Sequence, residues 1–195
     1  MDRKASVERV TKETRVAVRM NVDGSGKYSV ETGVGFFNHM LELFSKHSLM
    51  DLDIMVEGDI RIDCHHTVED TGIVLGQAWK EALGDKQSIR RYASLTMPMD
   101  EALVTVSVDV SGRPFFVFTG GIERGSIGDM DTEAVEEFLN AFCVHAGITL
   151  HVNLLYGKNN HHIAEAVFKG LARALREAAA IDPREKGIPS TKGVI

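Results

Sequence analysis

The chain has 195 residues, 44% of them hydrophobic and 26% charged, with a formal net charge of −6. This composition supports one sizeable core or two small fused units, and the acidic balance excludes a general attraction for nucleic acid or an anionic membrane surface. No stretch reaches the length of a membrane-spanning helix, the charged start MDRKASVERVTKET lacks the apolar core of a secretory signal, and Cys64 and Cys143 are expected as buried thiols of a reduced, cytoplasmic protein.

In chain order, residues 8–24 alternate apolar and polar side chains and end at Asp23-Gly24, which predicts a strand running into a turn, followed by a second strand in GKYSVET. Residues 34–49 place Phe37, Met40, Leu41 and Phe44 at helical spacing. DLDIMVEGD predicts another strand, and residues 66–84 a helix stopped by Gly84. The order then repeats. Residues 101–120 predict a hairpin with SGRP at its turn. Residues 131–148 predict a helix capped by Asp131 or Thr132, with acidic residues in its first turn where the helix dipole favours them. TLHVNLLYG predicts a strand, and residues 161–180 a long helix. Met97, Met99, Phe115 and Phe116 are expected in the core. LELFSKHSLMDL aligns with LNAFCVHAGITL, so the chain is expected to be an α+β internal duplication of two ββαβα-like units. The expected boundaries are residues 1–95, residues 96–185 and a C-terminal tail over 186–195, where the sequence carries no core pattern.

The chemistry concentrates in two doublets at matching places of the repeat, DCHHTVED and NNHHIAEA. On a helix each residue turns about 100°, so His65 and Glu69 lie about 40° apart and His66 on the same broad arc. Adjacent imidazoles diverge too far to grip one ion, so each doublet is expected to feed two. His161, His162 and Glu165 repeat the pattern, and the six side chains are expected to build two sites between two pseudo-symmetric helices. Imidazole with carboxylate suits Mn²⁺, Fe²⁺, Co²⁺, Ni²⁺ or Zn²⁺. One such motif alone could be a solvated or core-satisfied pair; two copies in register across a duplication argue for metal binding.

The motifs GVGFFNHMLELFSKH, DCHHTVEDTGIVLGQA, RRYASLTMPMDEAL, DVSGRPFFVF, HHIAEAVFKGLARAL and IPSTKGVI resemble the imidazoleglycerol-phosphate dehydratase family over nearly the whole chain. The resemblance implies dehydration of imidazoleglycerol phosphate to imidazoleacetol phosphate in histidine biosynthesis. It also implies two manganese ions per active site and a homo-oligomer of 24 chains with sites between subunits. It assigns metal ligation to His65, His66, Glu69, His161, His162 and Glu165, with His39 completing the first-half set. At the repeat position of His39, where the family often has histidine, stands Glu137. The resemblance further implies phosphate and glycerol contacts from Arg91, Arg113, Lys169, Ser190 and Lys192, a substrate contact from His47, and acid–base work by Glu13, which on sequence alone is an exposed strand glutamate.

The substrate's C2–H is not alpha to a carbonyl, so direct base-catalysed elimination is a poor route. Divalent ions on the imidazole ring would lower its N–H pKa and let the ring expel the C3 hydroxyl. C2–H then becomes acidic, and Glu13 is the expected base. Two rivals remain at this stage: a dimetal phosphate-ester hydrolase, and a ferritin-like storage bundle, whose Glu-x-x-His order is the reverse of the one here.

Overall fold

The computed structural model describes residues 2–195. The first half contains β1 (Lys4–Val10), β2 (Thr14–Asn21), β3 (Tyr28–Glu31), α1 (Gly35–Ser48), β4 (Asp51–Gly58) and α2 (His65–Leu83). The second contains β5 (Tyr92–Met99), β6 (Ala102–Asp109), β7 (Phe115–Thr119), the short pair β8 (Ser126–Ile127) and β9 (Met130–Asp131), α3 (Glu133–Ala146), β10 (Thr149–Tyr156) and α4 (Asn160–Ala178). Each half is thus a three-strand, helix, strand, helix unit, one strand longer than the expected ββαβα pattern. The single strand expected over 8–24 is two antiparallel strands, folded back at Thr11 to Glu13. That turn has no glycine or proline; instead Thr11 Oγ1 accepts from the Glu13 and Thr14 N–H groups at 3.1 and 2.9 Å. The second unit's first strand starts at Tyr92, ahead of the boundary drawn at residue 96.

The two main sheets have the orders β1-β2-β4-β3 and β5-β6-β10-β7. The SGRP segment is therefore not a hairpin turn: β10 lies between β6 and β7, antiparallel to the first and parallel to the second. β4 splits β2 and β3 in the same way. Alternation sends Val16, Val18 and Met20 of β2, and Val104, Val106 and Val108 of β6, into the core.

Helices from the two halves meet in that core, α1 along α4 and α2 along α3. Phe37 and Phe138 meet edge-on with ring centroids 5.5 Å apart, Phe44 and Phe142 at 6.1 Å, and Phe138 stacks on Phe168 at 5.1 Å. Gly72 and Gly76 let α2 approach α3 closely, since a Cβ at Gly76 would stand 2.7 Å from the Phe142 carbonyl oxygen. Met97, Met99 and Phe116 pack against the core as expected, whereas Phe115 is 65% exposed. Cys64 and Cys143 are free and buried. Gly84 terminates α2, with φ 58°. Thr132 is the N-cap residue of α3, but its hydroxyl donates to the Glu123 and Gly125 carbonyls rather than capping the helix.

Candidate active site

The helix pairing decides which functional side chains meet. α1 carries His39 onto α4, where His39 Nε2 and His161 Nε2 lie 3.1 and 3.0 Å from Glu165 Oε1. The ligand-type atoms of these three residues all fall within 4.8 Å of one another. Lys169, one turn further along α4, places Nζ 2.5 Å from Glu165 Oε2. Burial alone would raise the Glu165 carboxyl, but hydrogen bonds from Lys169, His39 and His161 outweigh it and hold the group down at about 2. Phe36 walls the cluster, its ring centroid 5.1 Å from that of His161.

Within the chain His39, which the resemblance counts among the ligands of the first half, lies beside the second-half doublet. Within the chain each doublet helix is partnered by the α1-type helix of the other half. The mirror arrangement follows for α2 and α3. His65 Nε2 stands 3.8 Å from Glu69 Oε2. His65 and Glu137 line a shared cleft of about 460 Å³ with Glu133, Glu136 and Arg124. This second cluster is looser than the first, the one group within ligation distance among the described residues.

The remaining members of the doublets face other acids. His66 Nδ1 lies 3.0 Å from Asp59 Oδ2, and His162 Nδ1 2.6 Å from Glu101 Oε2. These bonds raise both imidazoles, and Glu101 is held down at about 2 by His162 and by backbone N–H groups led by that of Asn159. Glu13 sits in the exposed β1–β2 turn, not within a strand, and its charge reaches His66. Thr14 at the end of that turn donates to the buried Asp70 of α2, which also pairs with Arg9 at 2.5 Å. His47, two turns beyond His39, is pushed down by burial and then by the charges of Lys169 and Arg173.

The basic residues expected at a phosphate divide. Lys169 borders the first cluster. Arg91 is buried, bonds Asp109 at 2.8 Å and donates to the Pro189 carbonyl at 2.8 Å, so its guanidinium fastens the C-terminal segment. Ser190 and Lys192 follow directly in that segment, where the Lys192 N–H donates to Ser190 Oγ at 3.2 Å. The segment's end, Ile195, reaches Gly112, so exposed Arg113 adjoins the tail. No hydrogen bond or ion pair links this basic group to either imidazole–carboxylate cluster among the described residues.

Sequence reasoning missed several supporting acids. Asp129, in the β8–β9 turn, accepts the Gly35 and Phe36 N–H groups at 2.5 and 3.0 Å and so caps α1 from the other half; the same bonds hold its carboxyl low. An acid far from the helix it caps leaves no local pattern. Asp59 and Glu101 escaped notice similarly, although HHxxE invites a search for a carboxylate at Nδ1.

A duplicated α+β scaffold whose crossed helix pairs gather imidazoles and carboxylates defines a class of small-molecule enzyme with donor sets suited to a divalent transition metal. The family model for imidazoleglycerol-phosphate dehydratase matches residues 32–175. The imidazoleglycerol-phosphate dehydratase of Acetivibrio thermocellus is 58% identical over 195 residues, covering 100% of both chains, and that of Methylorubrum extorquens 59% identical over 192 residues, covering 98% of each. Among solved structures, the Staphylococcus aureus enzyme superposes with a TM-score of 0.83 at 40% identity, over 92% of this chain and 99% of that one. The Pyrococcus furiosus enzyme, solved in complex with (S)-C348, gives 0.83 at 36% identity, over 97% and 100%. The chain belongs to the imidazoleglycerol-phosphate dehydratase family. It is a carbon–oxygen lyase of histidine biosynthesis that dehydrates imidazoleglycerol phosphate to imidazoleacetol phosphate, and the hydrolase and storage readings fall away.

Proposed function

We propose that this dehydration uses two manganese ions, one held by His39, His161 and Glu165 and the other by His65, Glu69 and Glu137, with His66 and His162 presenting Nε2 to the ions from the edges of the doublets. The convergence of His39, His161 and Glu165 carries the proposal. Imidazole nitrogens with one buried carboxylate fit a hard-to-borderline divalent ion, and the clustered acids at His65 favour the harder manganese. Bound there, the ions would supply Lewis acidity that lowers the N–H pKa of the substrate's imidazole ring.

The chain's own residues do the rest. Lys169, Arg113, Ser190 and Lys192 bind the phosphate, and Arg91 sets the tail that carries two of them. His47, kept largely neutral beside Lys169, contacts the glycerol portion. Once the imidazole ring has expelled the C3 hydroxyl, Glu13 takes the proton that has become acidic at C2, proton and hydroxide together make up the one water lost, and the resulting enol tautomerises to the ketone. The exposed turn that carries Glu13 and the separation of the basic group from the imidazole clusters favour sites completed by neighbouring chains. A homo-oligomer of 24 chains in the cytoplasm is the assembly we propose. Among the described residues no helix is long and apolar enough to cross a membrane.

Chelator-stripped protein should bind two Mn²⁺ per chain and regain ketone formation from imidazoleglycerol phosphate on adding Mn²⁺, with His161→Ala losing one ion. Full activity in the stripped protein, or two ions retained by His161→Ala, would refute the assignment.

A further inference from the structure

The two histidines of each doublet use opposite ring nitrogens. The first turns Nε2 toward the glutamate four residues on, at 3.8 Å for His65 and 3.0 Å for His161. The second turns Nδ1 toward a different acid. His66 Nδ1 lies 3.2 and 3.0 Å from the two oxygens of Asp59, and His162 Nδ1 lies 2.6 Å from Glu101 Oε2. The adjacent rings stand 78° and 84° apart, so they aim in different directions. A carboxylate at Nδ1 holds the proton on that nitrogen and leaves the Nε2 lone pair free for a metal.

These two acids are not copies of each other. In the repeat, Val16 pairs with Val56 as Val104 pairs with Leu154. By that register the β1–β2 turn corresponds to the β5–β6 turn, and past the extra residue that β10 carries between Leu154 and Tyr156, Gly58 corresponds to Gly157 and Asp59 to Lys158. Glu101 lies in the β5–β6 turn, and its counterpart Glu13 makes no hydrogen bond to His66 among the described residues. Asp59 follows β4, where the other half has Lys158, which has no carboxylate to offer. The same contact at the same nitrogen is thus supplied from two unrelated positions. Descent from one ancestral half does not produce that coincidence, whereas a shared demand on the second imidazole does.

We propose that Asp59 and Glu101 are positioning residues that fix His66 and His162 as Nδ1–H tautomers and orient Nε2 for the ions. The proposal rests on reading those histidines as metal ligands. Glu101 has a second task, because Oε1 accepts the Lys158 and Asn159 N–H groups at 3.2 and 2.8 Å ahead of α4. Its variants therefore perturb the fold as well. His66 is the one side-chain hydrogen-bond partner of the Asp59 carboxylate among the described residues, so Asp59 gives the clean test.

The measurement is a Mn²⁺ titration followed by electron paramagnetic resonance on the full-length stripped protein, with thermal unfolding alongside. Asp59→Ala should weaken Mn²⁺ at the site served by His66 about 10–100-fold. Asp59→Asn, whose amide oxygen still accepts Nδ1–H, should stay within about tenfold of the unmodified protein. Glu101→Ala should weaken the site of His162 to a similar degree while also lowering the melting temperature. If Asp59→Ala binds Mn²⁺ normally while His66→Ala does not, Asp59 has no positioning role and the proposal is overturned with the ligand reading intact. If His66→Ala also binds normally, the ligand reading fails and the proposal goes with it.

Discussion

Gly76→Ala tests whether the close approach of α2 and α3 sets the geometry of the second cluster. A Cβ at this position would stand 2.7 Å from the Phe142 carbonyl oxygen, 2.9 Å from the Ala146 nitrogen and 3.1 Å from His145 Cβ. The two nearest atoms are helix backbone, which no change of rotamer can move aside. Reaching ordinary contact requires the helices to separate by roughly 0.5–1 Å, and overpacking of this kind costs about 1–3 kcal/mol. Alanine's higher helix propensity offsets about 1 kcal/mol. With two backbone clashes the upper end applies, leaving a net loss of about 2 kcal/mol and a melting temperature lower by roughly 4–8 °C for a chain of this size. The separation also draws His65 and Glu69 on α2 away from Glu137 on α3, so Mn²⁺ affinity should fall at that cluster and hold at His39. Gly125→Ala is the control: nothing lies within 4 Å of a Cβ there, and its melting temperature should hardly move. A Gly76→Ala protein that melts higher than the parent, as propensity alone dictates, would show that the helices do not meet this closely.

Four further outcomes follow from the geometry. Asp70→Ala strips the partner from Arg9 and Thr14 at a buried position and should cost about 2–4 kcal/mol by urea unfolding, with kcat falling more than KM because Thr14 anchors the turn that carries Glu13. Deleting residues from Ser190 onward spares the Arg91 bond to Pro189 and should raise KM strongly with little change in melting temperature; unchanged kinetics would remove the tail from phosphate recognition. Glu137→Ala should lose about one Mn²⁺ per chain and Glu137→His should restore it, whereas two ions bound by the alanine variant would demote Glu137 to a helix-face acid. Burial pushes the Cys143 thiol up to about 11 from its ordinary 9.0, so the folded form gains on the unfolded one below pH 9 and loses that advantage as pH rises from 9 through 11. The loss should amount to about 2–3 kcal/mol and vanish in Cys143→Ala, as read by unfolding at pH 8 and pH 11.

Periodicity made the four helices legible almost to the residue, and the repeated doublets made the duplication legible, because both depend on neighbours in sequence. Strand partners do not. DVSGRPFFVF has the same alternation and the same turn residues whether its strands pair directly or leave room for β10, and what separates them is a crossover that returns through α3. The β1–β2 turn was invisible because a threonine hydroxyl replaces the usual glycine. Nothing near Arg91 in sequence announces its bonds to Asp109 and the Pro189 carbonyl.

The position of His39 has the most consequence for how the clusters are built. It belongs to the first half in sequence, yet helix packing brings it beside the second doublet, and by the same exchange Glu137 of the second half shares a cleft with His65 of the first. Neither half holds a doublet together with the His39 or Glu137 that packs beside it, and α1 even takes its N-terminal cap from Asp129 of the other half. A half-chain could form a sheet with two helices but would expose the aromatic faces of Phe37, Phe44, Phe138 and Phe142 and would leave both clusters incomplete. Core and site thus depend on the same crossed pairing of helices, so changes that loosen α1 from α4 or α2 from α3 should damage stability and ligand geometry together.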